Sequence, residues 1–137
     1  MKRGHQVLLG AACCGVLIAL AFALGSMRYA AGKLDSLRST RGHATAESAM
    51  QDLMIRTEGP GRVDIVAAGN DGPGLRYVVA RVWPTNAPAT AAGHSREIGA
   101  YFLRMNHGWV HLPEDEVNGQ VLAIGKALLD RVPGTAR

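Results

Sequence analysis

The pattern of apolar and polar positions divides the chain into an unbroken apolar run and a longer alternating part. Val7 to Leu24 is eighteen residues, VLLGAACCGVLIALAFAL, without a charge. At ~1.5 Å per residue such a helix covers about 27 Å, close to the ~30 Å hydrocarbon core of a bilayer. Gly25, Ser26 and Met27 complete a crossing, so residues 1–27 are expected to form a transmembrane signal anchor. Residues 28–43 read as a juxtamembrane stalk. Leu34 and Leu37 have helical spacing there, but Ser36, Ser39, Thr40 and Gly42 weaken it.

From residue 44 the periods shorten. Ala46, Ala49, Met50, Leu53 and Met54 recur every three or four residues and predict a helix over 44–57, stopped by Gly59-Pro60-Gly61. Val63, Ile65 and Ala67 alternate as in a strand, and Gly69 to Gly74 is a dense turn signal. Leu75 to Trp83 is apolar on both faces, the mark of a central strand covered on both sides. Residues 85–97 read as a loop. Ile98–Met105 and Trp109–Leu112 then form a hairpin through Asn106-His107-Gly108.

Pro113 opens the last helix, with Glu114, Asp115 and Glu116 in its first turn and Lys126 and Arg131 toward its end, matching the helix dipole. Val117, Val121, Ile124, Leu128 and Val132, widened by Leu129, form a stripe expected to face the core, with Lys126 in solvent. Pro133-Gly134 ends it. The fold class is α+β: one transmembrane helix, then a domain over 44–137 of α-β-β-β-β-α order, an antiparallel sheet with packed helices. The outline is similar to small envelope domains in which a curved sheet carries flanking helices, as in cystatin-like folds; such a resemblance implies nothing about function.

Charge sharpens this division. The chain of 137 residues carries a net +4, but residues 1–43 hold six Lys and Arg against one Asp, and residues 44–137 hold nine against ten Asp and Glu. The positive charge flanks the apolar run. The domain is near neutral and lacks the basic face that a nucleic-acid partner requires. The membrane, through residues 7–27, is the first expected partner.

Lys2 and Arg3 ahead of the run resemble the start of a secretory signal, which puts the N-terminus inside and the domain in the periplasm or outside a bacterial inner membrane. Arg28, Lys33, Arg38 and Arg41 on the other flank pull the opposite way. Ala21-Phe22-Ala23 and Ala23-Leu24-Gly25 also fit a signal peptidase, so a secreted, cleaved domain is the competing reading. Ala11, Gly15, Ala19 and Ala23 lie on one helix face, a small-residue row through which two spans could pack.

The chemistry in the sequence is sparse. Both cysteines, Cys13 and Cys14, lie in the apolar run, leaving the domain without a disulfide or thiol nucleophile. His107 and His111 have zinc-helix spacing, but on a strand four residues span roughly 13 Å and cannot share an ion. An acid–base pair could be drawn only from scattered residues, His111, His94, Asp64 and Glu114. There is no G-x-S-x-G, phosphate loop or calcium loop, and no cofactor is implied. Trp83, Trp109 and His111 are the candidate interaction patch. The function expected is an interaction or accessory module with a protein partner or a second copy. A small-ligand or enzymatic site near His111 and Trp109 is the alternative.

Overall fold

In the computed structural model, residues 2–84 and 94–132 are described, with side chains over 12–83 and 94–132. The expected order is present. A long helix α1 (Lys2–Arg38) precedes α2 (Ala46–Glu58), four strands β1 (Gly61–Gly72), β2 (Leu75–Pro84), β3 (Arg96–Met105) and β4 (Gly108–Leu112), and α3 (Glu116–Asp130). The strands form one antiparallel meander, β1-β2-β3-β4. Residues 85–93 of the expected loop and the Pro133-Gly134 stop lie outside the described residues.

Strand parity creates three layers. Val78, Ala80 and Val82 of β2 and Phe102 of β3 point to one face, where Ala46, Ala49, Met50, Leu53 and Met54 of α2 cover them. That α2 stripe is the one its sequence spacing predicts. Thr45 caps the helix by accepting from the Ser48 backbone N–H at 3.1 Å. Leu75, Leu103, Met105, Val110 and Leu112 point to the other face, under α1 and α3. β2 and β3 are thus buried on both sides, as the doubly apolar Leu75–Trp83 segment requires.

The edge beyond β4 is closed by one residue. His43 exchanges both backbone hydrogen bonds with Trp109, at 2.8 and 2.9 Å. This close approach demands Gly108, whose φ is +124° and whose absent Cβ would lie 2.5 Å from the His43 carbonyl oxygen. The β1 edge has no such cover among the described residues.

Two features depart from the sequence expectations. The residues read as a stalk continue α1 without a break to Arg38, and Ala30, Leu34 and Leu37 join the core cluster. The α3 stripe is the second. Val117, Val121, Ile124 and Leu128 are 36–69% exposed, and the buried face holds Gly119, Leu122 and Ala123. Lys126, expected in solvent, has a side chain only 17% exposed and pairs with Asp130. The reason is size. α3 lies so near the sheet and α1 that small residues fill its inner face: Gly119 sits over Leu75 and Leu112, and a Cβ on Gly125 would stand 3.0 Å from that of Ala30. The bulky residues are left pointing outward.

Candidate interaction surfaces

Apart from the bare part of α1, the most conspicuous open surface is the outward face of α3, and its position follows from how α3 is held. Asp115 caps the helix by accepting from Asn118 N–H at 2.9 Å. Beside it, Glu114 takes an ion pair from Lys33 at 2.5 Å and a hydrogen bond from the Tyr29 hydroxyl at 3.2 Å. The pairing holds the Lys33 ammonium above its usual range. Burial and then Glu114 do the same to the Tyr29 phenol. The acidic start of α3, read in sequence as dipole complement, is therefore also the tie to α1.

On the opposite face of the sheet, Arg76 of β2 donates from Nε and Nη2 to one oxygen of Glu47 at 2.9 and 2.7 Å. Those bonds hold the Glu47 carboxyl below its ordinary value. Arg56 and His43 both reach Asp52 Oδ2, at 2.9 and 3.4 Å. The Arg76–Glu47 pair ties α2 to the sheet, and the His43–Asp52 pair ties the leading loop to α2.

The structure brings together part of the sequence-predicted patch. Trp109 and His111 lie two residues apart on the α2 face of β4. Trp109 packs on the α2 cluster, and the His111 ring lies 5.6 Å from that of Phe102. Trp83 is elsewhere. Its parity puts it on the other face, beneath the Arg62 guanidinium at 4.8 Å. It also stands nine residues along the chain from Gly74, which bonds Arg104, the partner of Trp109, and so lies roughly 30 Å from the level of Trp109.

His111 lines a cleft of about 300 Å³ with Lys33, Ser36, Leu37 and Arg56. Burial, and after it the charge of Arg56, hold its imidazole below the ordinary value. His107 occupies the β3–β4 turn with Nε2 2.6 Å from the Thr40 carbonyl oxygen, which this nitrogen donates to when protonated. Of the other acid–base candidates, Glu114 borders this cleft through Lys33, and Asp64 and His94 lie outside its lining. Asp64 is held by Arg62, Glu114 by Lys33 and Tyr29, and His94 is exposed. No group of three metal-ligating side chains is gathered among the described residues.

Two open grooves, about 670 and 750 Å³, flank the β3–β4 turn; the larger runs between α1 and α3 past Leu34, Arg38 and Leu129. On the apolar part of α1, Gly15, Ala19 and Ala23 are exposed, and the Ala11 side chain lies outside the described residues. Comparison with family models, curated proteins and solved structures finds no match. The outline similarity to cystatin-like folds expected from sequence finds no support in that comparison.

Proposed function

We propose that the protein is a single-pass protein of a bacterial inner membrane. Its α+β domain is held on the periplasmic side as a protein-interaction or accessory module. The observation that supports this most is α1 itself. One continuous helix is long and apolar enough to cross a bilayer, is exposed from Ala12 to Tyr29 except for a half-covered Ser26, and enters the core from Ala30 onward. A rigid anchor of this kind fixes the height of the domain above the membrane, which a complex subunit needs and a diffusing secreted domain does not. The interaction reading is supported by what the fold leaves open: an apolar helix face and an uncovered β1 edge suited to adding a partner's strand.

The His111 cleft supports the second reading, a small-ligand site, because a half-buried imidazole there faces Arg56 beside a Ser36 hydroxyl. Two measurements test the primary reading together. The protein should stay with membranes through a carbonate wash, and a periplasm-dependent reporter fused after Arg137 should be active while a cytoplasm-dependent one is silent. Release by carbonate, or the reverse pair of reporter signals, overturns it.

A further inference from the structure

The exposed stripe of α3 acquires a specific occupant from the way the two helices cross. α1 passes the β4 edge crosswise to the strands, from Ala30 beside α3 on one face of the sheet to Leu37 and Thr40, which line a cleft with Leu53 and Arg56 of α2 on the other. At the level of Lys33 to Arg38, one flank lines a cleft with His111 and Pro113 at the end of β4, and the other lines a groove with Met105, Asn106 and His107 just before its start. α3 runs along them. Its Gly119 lies over Leu75 and Leu112, its Ala123 beside Gly72, and its Lys126 and Asp130 line one groove with Gly74 and Arg104. Because Leu112 pairs with Tyr101 and Arg104 bonds Gly74, this is a lengthwise course over β3 from residue 101 toward 105.

The crossed helices meet where α1 leaves its apolar run. Gly125 approaches Ala30, and Glu114 binds Tyr29. Ala30 is three residues beyond Met27, a rise of about 4.5 Å, whereas the headgroup layer on each side of a bilayer is about 5–7 Å thick. A bilayer that takes up residues 7–27 therefore has its surface beside α3, and α3 lies across the anchor rather than along it. The side of α3 turned from the sheet carries Val117, Val121, Ile124 and Leu128, with no charged residue within the stripe. At the same level α1 exposes Arg28 and Tyr29, residue types that settle at headgroups.

We propose that this stripe beds into the boundary between headgroups and acyl chains of the outer leaflet, so that the domain lies on the membrane through α3 as well as hanging from it through α1. The proposal rests on the single-pass reading above. An amphipathic helix at that depth gains from burying its apolar face in the interface while its opposite face stays packed on protein. It also explains why bulky residues occupy the outer face of α3 and small ones the inner.

The test places one nitroxide label at a time on the full-length chain in nanodiscs of phosphatidylcholine and phosphatidylglycerol, after Cys13→Ala and Cys14→Ala. Sites are Ile124→Cys, Val117→Cys, Leu24→Cys in the span, and Ile55→Cys, an exposed apolar position on α2 across the sheet. Collision with oxygen is compared with collision with a water-soluble nickel chelate. Labels at Ile124 and Val117 should give oxygen-to-nickel ratios several-fold above Ile55 and approaching Leu24. Water-like ratios at both α3 sites, with Leu24 lipid-like, overturn the proposal and leave the anchor standing. Screening from both reagents, with spin–spin broadening that fades on dilution by unlabelled protein, assigns the stripe to a second copy and also overturns it. A water-like Leu24 removes the anchor, and the proposal with it.

Discussion

Replacing Leu34 by alanine in the full-length protein separates a core element from a tether. Leu34 is 5% exposed and packs among Ala30, Leu37, Leu103 and Met105 on one side of the sheet. Truncation removes the transfer energy of its side chain and leaves a cavity that flanking helices fill only partly, a loss of about 2–5 kcal/mol. A domain of this size has roughly 5–15 kcal/mol in all, so the loss is a substantial part of the total. Leu24, three turns down the same helix, is 60% exposed. Leu24→Ala should change domain stability by less than about 0.5 kcal/mol. Urea unfolding in detergent micelles, followed by fluorescence of Trp83 and Trp109, reads both. The midpoint should fall for Leu34→Ala with an unchanged slope. The same reasoning makes a fragment from residue 44 far less stable than one from residue 28, since it lacks Ala30, Leu34 and Leu37 together. Equal midpoints for Leu34→Ala and Leu24→Ala would refute the reasoning, because α1 beyond residue 27 would then be a stalk.

Along α3, Leu122→Ala should cost about 2–5 kcal/mol and Leu128→Ala less than about 1 in the detergent-solubilised protein, because Leu122 is wholly buried and Leu128 is 51% exposed; urea midpoints decide it. Gly125→Val should lower the melting temperature by forcing α3 from Ala30, an overpacking cost of about 1–3 kcal/mol, whereas the same change at the exposed Gly69 should cost less. Acid should destabilise the domain in two stages. Because His111 titrates lower in the fold than its ordinary 6.5, the unfolded chain takes up the proton first, and stability falls as pH drops below 6.5 toward the folded value. Glu47, lowered by Arg76 from 4.5, adds a second loss only below that value. His111→Gln should flatten the first stage in a pH series of melting curves and leave the second.

Much of the fold was legible because each element carries one dominant period. The α2 stripe, the two-faced β2 and the turn at Asn106-His107 were all visible as spacing, and the α-β-β-β-β-α order followed. The misreading of α3 has a plain physical origin: hydrophobic pattern weighs side-chain size, while packing weighs distance between backbones. α3 looked as though it buried Val117, Val121, Ile124 and Leu128, yet its tight seat against Leu75, Leu112 and Ala30 admits only Gly119, Ala123 and Gly125 beside Leu122. Residues 28–43 looked like a stalk because Ser36 and Ser39 are poor helix formers. Their hydroxyls instead donate to the Lys33 and Ser36 carbonyl oxygens at 2.7 and 2.8 Å, back along the helix and on its outer side. Of the surface patch, Trp109 with His111 could be read from strand parity. The separation of Trp83 could not, because it depends on the length of β2 and the register of its pairing.

The proposed function requires α1 to be a permanent part of the mature protein, crossing the bilayer with one end and entering the core with the other. The intact mass of the protein extracted from membranes tests this most directly. The chain should retain its sequence through Val7–Leu24. A mature chain beginning near Leu24 or Ser26 would contradict the account, leaving a released domain and an α3 stripe with no bilayer beside it.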